Sequence, residues 1–423
     1  MWVAPEGSDE TGDGSENNPY ATLGKAAHEI HLLRGDLDNG YADGGIIYLK
    51  PGSYPFGFKA GLIWTERRLY TYNRWLTISA APGVSQREVI ITPMVADGAS
   101  FNTKLLRFRK VTATCTFSTG TPSEDYLWLD SVFIDGIGPG ENPIRWSQGW
   151  WTGIYATNSE ARDVDNAFPG VTLARHLLID SVYADAFPGG LCMIDCEVKG
   201  QDANATAAHS DIWQERNPYT AKNIILYGVK AIERCNGQGF FTTCSGHTDI
   251  AIVNCYLHLE GYPAQSQWNT LTHHMYFAYN TLTGTAFSIG LNRSNSEYGY
   301  HGSTNVLFEH NVFQWLSVSD TVTRVPEYSE LQPGTQFSYN HYINEWPAYT
   351  GSSGKPWNAV VYGDNATEGS EIPEDRGVQA WPPETTGVEE QFIMKLDGAQ
   401  EVSLLKIKSL TFPWYNLLGK EIY

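Results

Sequence analysis

Charge is scarce in this chain, and its balance is acidic. Only 18% of the 423 residues are charged, and 47 acidic against 28 basic side chains leave a formal charge of -19. Such a surface repels DNA, RNA and anionic lipid, so nucleic-acid binding is not expected. It also disfavours a polyanionic glycan, unless Ca²⁺ or a local Arg/Lys cluster intervenes. No cofactor is required by the sequence, and Ca²⁺ is the one ion the reading leaves room for. No apolar run reaches the roughly 18 residues that span a bilayer, so membrane insertion is not expected either. Cysteine is sparse: Cys115, Cys192, Cys196, Cys235, Cys244 and Cys255 form no C-x-x-C pair. Four of them lie in or beside apolar, strand-like runs, which favours buried free thiols over disulfides. The chain opens Met1-Trp2-Val3 without a basic segment or an apolar leader core. Two expectations follow. Either the protein is extracellular and its leader has been removed, or it is made and folded in a cytoplasm, as proteins of a virion surface are.

What the chain has in quantity is glycine and aromatics: Gly 41, Trp 14, Tyr 24 and Phe 17. Aromatic and β-branched side chains suit pleated surfaces, so a turn-rich all-β protein is predicted. An imperfect repeat supports this. "LWLDSVFIDG" from Leu127, "LLIDSVYADA" from Leu177 and "CMIDCEVKG" from Cys192 alternate apolar residues and then turn. "IILYGVKAIE", "AIVNCYLHLE", "YFAYNTLTG" and "LFEHNVFQW" continue the pattern. The turn column reads Asp130, Asp180, Asp195, Gly228, Asn254, Asn280 and Asn311. Asn, Asp and Gly recur there because they tolerate left-handed backbone or bond their own chain. Gly228 to Asn254 and Asn254 to Asn280 are both 26-residue steps, the length of one coil of a β-helix. The 15-residue step from Asp180 to Asp195 is too short, so one of those two is misassigned.

The opening "WVAPEGSDETGDGSENNPYATLGKAA", followed by "GGIIYLKPGSYPF", resembles the start of pectate-lyase-like β-helix proteins. The resemblance implies an all-β fold, a single-stranded right-handed parallel β-helix with an N-terminal capping α-helix. Local chemistry agrees. Asn18 can cap, Pro19 suits a first helical position, and Leu23, Ala26, Ala27, Ile30 and Leu33 form one apolar stripe. The predicted organisation is a β-helix over 1–330 with its cap helix at about 19–33. Irregular loops or a linker then fill 331–390, and 391–423 form a C-terminal cap or small β appendage.

The sharpest motif is "HSDIWQER". On a strand His209, Asp211 and Trp213 share one face. With Ile212 buried, that face points outward and offers an imidazole, a carboxylate and an aromatic platform. The next coils add Gln238 and Asn269. The predicted catalytic residues are therefore His209, Asp211 and Gln238. The predicted substrate-binding residues are Trp213, Gln214, Arg216, Asn269, Arg293, Trp150 and Trp151. The last two belong to "RWSQGWWTGIY", which also holds Trp146 and Tyr155, and exposed aromatic clusters of this kind line sugar grooves. In "GHTDI", His247 is expected to cap a turn beside Asp249. His273 and His274 point to opposite faces of a strand, so no metal site is predicted.

These residues favour a protein that binds polysaccharide and degrades it as a lyase or a glycoside hydrolase. The alternative is a non-catalytic glycan-binding virion surface protein, a phage tailspike or fibre module, for which a homotrimer is the expectation. A standard hydrolase needs a second carboxylate one or two coils from Asp211. The matching positions hold Gln238 and Asn269 instead. A lyase needs a base for the proton α to a uronate carboxylate, a role His209 can fill, with Gln238, Asn269 or Arg293 holding the acid.

Overall fold

The computed structural model describes residues 1–36, 41–42, 44–56, 70–71, 75–93, 105–115, 117, 126–138, 153–202, 210–214, 221–242, 247–260, 265–268, 272–289, 294–295, 300–301, 304–318, 336–343 and 363–379. The fold is all-β, a parallel β-helix with very little helix. It divides into two compact units. Unit 1 is 1–216, 228–241 and 258–265, and unit 2 is 217–227, 242–257 and 266–423.

In unit 1 one parallel sheet runs through Trp2–Val3, Gly45–Leu49, Leu76–Ala80, Leu105–Arg109, Tyr126–Asp130, Gly153–Thr157, Leu173–Arg175 and Cys192–Ile194. Strand alternation sorts its residues cleanly. Ile47, Ile78, Phe108, Leu129, Ala156, Ala174 and Met193 are register partners from coil to coil. All are at most 1% exposed, so this row forms the inner wall. After each of the last five of these strands the chain turns through a left-handed residue, and Lys110, Ser131, Asn158, His176 and Asp195 all have φ between 50° and 55°. The following strands form a second parallel wall, from Gly52–Phe56 to Lys230–Cys235. Its outer face carries a register-matched row of alternating charge, Asp135, Arg162, Asp180, Lys199 and Glu233.

The cap helix spans Leu23–Arg34. Thr22, not Asn18, caps it: its Oγ1 accepts the Lys25 amide at 3.1 Å, while Asn18 donates to the Thr11 carbonyl instead. Leu23, Ala26, Ala27 and Ile30 are buried as expected, and Ile30 packs against Gly45 of the first coils. Leu33 is 71% exposed.

Unit 2 has the same plan. One sheet comprises Ala221–Tyr227, His247–Val253, Thr272–Ala278, Thr304–Glu309 and Gln336–Ser338. A second comprises Thr281–Ile289, Val312–Val318, His341–Tyr342 and Thr367–Glu368. Coils therefore continue past residue 330, where loops or a linker were expected. Residues 391–423 lie outside the described residues.

The turn column is displaced from the sequence reading. Asn254 pairs in register with Tyr279, because one coil here is 25 residues, as Val253 pairs with Ala278. Asn254, Tyr279, His310 and Tyr339 are the left-handed residues, with φ 55–58°. One position on, Asn280, Asn311 and Asn340 stack as a fully buried amide ladder. The Asn280 Nδ2 donates to Asn311 Oδ1 at 3.1 Å and to the Ile252 carbonyl at 2.9 Å. The Asn311 Nδ2 repeats this toward Asn340 Oδ1 (3.0 Å) and the Phe277 carbonyl (2.9 Å). The misassigned residue of the short step is Asp180, which lies within the strand Leu178–Val182 of the second wall.

Candidate functional site

Among the predicted site residues, His209, Arg216, Asn269, Arg293, Trp150 and Trp151 lie outside the described residues. Asp211, Trp213, Gln214 and Gln238 are described, and the register makes Asp211 and Gln238 neighbours in adjacent coils. The face they occupy is not the one expected. Asp211 has no exposed surface and Trp213 is 1% exposed. Trp213 pairs with Phe187 and Phe240, and Phe187 stacks with Phe168, all of them buried. The Trp213 indole donates to the Gly190 carbonyl at 2.8 Å, beside Met193 and Val171 of the core. Ile212 on the opposite face is buried as expected, so both faces of this strand are enclosed and alternation leaves neither to solvent. Here the large aromatic row fills the interior, and Trp213 is a core residue rather than an exposed sugar platform. Gln214, one residue on, is only half-buried.

Asp211 belongs to an enclosed polar file. Asn166, Asp185, Asp211 and Gln238 come from successive coils, and each is at most 7% exposed. The Asp185 amide donates to Asn166 Oδ1 (3.3 Å), and the Asp211 amide to Asp185 Oδ1 (3.0 Å). Gln201 packs its amide against Gly237, where a β-carbon would lie 2.5 Å from Gln201 Cδ. Among the described residues neither end of the Gln201 amide, nor Gln238 Oε1, has a hydrogen-bond partner. Oxygen donors of this kind suit a hard cation. No group of three or more His, Cys, Asp or Glu among the described residues is arranged to hold a metal.

A different surface of unit 1 joins aromatic and charged groups, on the outer face of its first sheet. Arg107, Trp128 and Tyr155 are register partners in adjacent strands, and so are Arg109, Asp130 and Thr157 one row over. The Arg107 guanidinium lies 3.9 Å from the Trp128 ring centre and pairs with the Asp130 carboxylate. Trp128 Nε1 donates to Thr157 Oγ1 at 3.0 Å, and that hydroxyl donates to Asp130 Oδ1 at 3.3 Å. Trp75 meets Trp128 edge-on at 5.6 Å and Tyr155 at 6.3 Å. Tyr126 and Tyr155 stack at 6.5 Å. Gly153 is necessary between them, because a β-carbon there would come within 2.8 Å of the Tyr126 ring. Burial first, and then the neighbouring Tyr126, push the Tyr155 phenol up to about 12, so it is a neutral hydroxyl rather than a base. Trp75, Arg107, Trp128 and Tyr155 are half-buried, so part of each remains open. Tyr155 is the described member of the Trp/Tyr-rich segment. Trp128 and Arg107 were not singled out in the sequence, since "LWLD" reads as an ordinary strand of the repeat.

All five described cysteines are free, and four of them are buried. Desolvation pushes the Cys196 thiol up to about 12 and Cys192 up to about 11, which makes them unreactive packing groups. No helix among the described residues is long and apolar enough to cross a membrane.

No family model and no curated protein matches the chain. Two solved structures are similar in outline. A rhamnogalacturonan lyase shares 12% identity, with 76% of this chain and 82% of that one covered, at a TM-score of 0.26. The A-module of the Azotobacter vinelandii mannuronan C-5 epimerase AlgE4 shares 12% identity, with 80% and 90% covered, at 0.30. At such values the strand pairing carries the fold, and the likeness carries no chemistry.

Proposed function

We propose that this chain binds a polysaccharide, and that the Trp75–Arg107–Trp128–Tyr155 strip of unit 1 is the surface that holds it. The observation behind this is the register. Indole, phenol, guanidinium and carboxylate groups alternate across adjacent coils on one open face. Pyranose rings present C–H faces that pack on aromatic rings, and hydroxyls that need oriented donors and acceptors. The Asp130 and Thr157 oxygens supply acceptors, and Arg107 and Arg109 supply donors. The Arg107–Asp130 pair and the Trp128–Thr157 bond fix these side chains before any ligand arrives, which lowers the entropy lost on binding.

The test is retention of the protein in gels or on arrays carrying a panel of neutral and acidic polysaccharides. Trp128→Ala should weaken binding at least about tenfold, roughly 1.4 kcal/mol. Arg107→Met keeps much of the stem that covers Trp128 while removing the charge, and should weaken binding with a smaller change in melting temperature. If the parent is retained by no glycan, or both variants bind as the parent does, the reading fails. Incubation with the retained glycan also separates cleavage from binding alone. A lyase leaves an unsaturated product that absorbs in the ultraviolet, a hydrolase leaves shortened chains without it, and a binding module leaves the chain intact.

A further inference from the structure

Unit 2 carries a second polar row, built on an unusual backbone. Asn223, Asp249, His274 and Asn305 sit inside successive strands of its first sheet, yet all have left-handed φ, from 55° to 60°. The register fixes them as neighbours. Lys222, Thr248 and His273 pair in turn, as do Ile224, Ile250 and Met275 on the other side of the row. His273 in turn pairs with Thr304, and Met275 with Val306, which places Asn305 one coil beyond His274. Asn, Asp and His are the non-glycine residues that adopt this conformation most readily, and residues held there cluster at functional sites. His247 was expected to cap a turn beside Asp249. A described partner of Asp249 is His274 of the next coil, whose Nδ1 donates to Asp249 Oδ1 at 3.1 Å.

We propose that Asp249 and His274 form a general-base dyad that hydrolyses an ester, of the kind that links an acyl substituent to a sugar hydroxyl. With its Nδ1 hydrogen directed at the carboxylate, His274 keeps its lone pair on Nε2. Nε2 has no hydrogen-bond partner among the described residues. The side chains of His274 and Asp249 are 41% and 36% exposed, so a macromolecular substrate can reach them. The Asn305 amide, about 4.8 Å along the row, likewise has no hydrogen bond among the described residues and is free to donate. In the reaction Nε2 takes a proton from water as the water oxygen bonds to the ester carbonyl carbon. The carbonyl π pair moves onto its oxygen, which Asn305 stabilises as an oxyanion donor. Collapse restores the carbonyl and breaks the acyl C–O bond, and the departing sugar oxygen takes the proton back from Nε2. One water is consumed, and a carboxylic acid and an alcohol are released. Glycosidic cleavage fits the row less well, because it calls for a second carboxyl group as acid or nucleophile and the neighbours are amides.

His274 and Asn305 are catalytic residues in this scheme, and Asp249 is a positioning residue. Retention of the parent and of the His274 variants on the same glycans, read separately from acetate release, keeps this proposal and the binding proposal distinguishable. The experiment measures acetate released from a panel of O-acetylated polysaccharides, including acetylated xylan, by the full chain. The parent should release acetate. His274→Gly should lower kcat at least about 10²-fold with KM little changed, and free imidazole should restore part of it. Asp249→Asn should lower kcat by about tenfold at unchanged KM, and Asn305→Ala by a similar factor or more. Circular dichroism checks that each variant is folded, and His274→Gln replaces His274→Gly should the glycine variant unfold. The proposal is overturned if no member of the panel loses acetate to the parent, or if release is unaffected by His274→Gly and His274→Gln. It is overturned equally if the His274-dependent product is an unsaturated sugar rather than acetate.

Discussion

Where the chain enters the second wall, unit 1 places Val111, Val132, Ser159, Leu177 and Cys196, while unit 2 places Cys255, Asn280, Asn311 and Asn340. Each residue follows a left-handed one, and in both units the carbonyls of this column accept backbone amides of the next coil. The backbone problem is the same, and the side chains solve it differently. In unit 1 most of the column is apolar, and one hydroxyl acts for the backbone. Ser159 Oγ accepts the Val132 amide at 3.0 Å and donates to the Thr157 carbonyl at 2.9 Å. In unit 2 the central Asn311 oxygen accepts two donors and its nitrogen gives two hydrogen bonds, while at the ends of the ladder Asn280 Oδ1 accepts the Cys255 amide and Asn340 Nδ2 donates to the Phe308 carbonyl. A buried amide with all its capacity used is stabilising, whereas a half-used one costs the full desolvation penalty. Unit 1 is thus built to tolerate a lost side chain, and unit 2 is not.

The largest expected effect follows from that difference. Asn311→Leu would take the side-chain partner from the Asn280 amide and the Phe277 carbonyl, one of the two acceptors from Asn280 Nδ2, and one of the two donors from Asn340 Oδ1. A loss of about 3–5 kcal/mol is expected, from several buried groups at roughly 1–3 kcal/mol each. Urea unfolding followed by amide exchange should show that loss in unit 2, and a change below about 1 kcal/mol would mean the ladder is dispensable. Next in size is the cap of unit 1. Ile30→Asp puts an unpaired charge against Gly45 and should cost roughly 2–4 kcal/mol. An unchanged melting temperature would show that the helix Leu23–Arg34 is not docked.

How much of this could be read beforehand depended on whether a residue's type determines its place. The apolar stripe Leu23–Ala26–Ala27–Ile30 did so, since a helix with one apolar face must lie on something. The coil repeat was also legible, through Asn and Gly at intervals near 26. Its register slipped by one residue, because Asn serves two adjacent positions: Asn254 is left-handed and its Oδ1 accepts the Gln379 backbone amide, whereas Asn280 is a ladder rung. The polar file hid for the opposite reason. Asp211 and Asp185 are the residue types that alternation assigns to solvent, and only the enclosed row Phe168–Phe187–Trp213 shows that their face is inward. The Asp249–His274 pair depends on a left-handed residue inside a strand, which composition does not announce.

A smaller effect tests the hydroxyl substitute directly. Ser159→Ala removes one acceptor from the Val132 amide in unit 1 and should cost about 1–2 kcal/mol, well below Asn311→Leu. Equal losses from the two changes would remove the contrast between the columns.

The smallest effect is a dependence on pH, and each unit has its own source. In unit 2, His341 is fully buried, its Nε2 donating to the Gly369 carbonyl at 2.8 Å and its Nδ1 accepting from Thr367 Oγ1 at 2.9 Å. Burial holds its protonation below the ordinary range, Arg376 adds to this, and the Gly369 carbonyl opposes it. In unit 1, His28 on the cap helix is likewise lowered, first by burial. A histidine depressed in the folded chain binds its proton more readily when unfolded. Its contribution is therefore intact above the unfolded value of about 6.5 and fades as pH falls toward the folded one. One such group tilts stability by at most about 1.4 kcal/mol per pH unit. His341→Gln should flatten the acid limb in unit 2 and leave that of unit 1, and His28→Gln should do the reverse. Amide exchange at pH 7 and pH 5 reads both units in one sample. An acid limb that persists unchanged in the double variant would place the titrating group elsewhere.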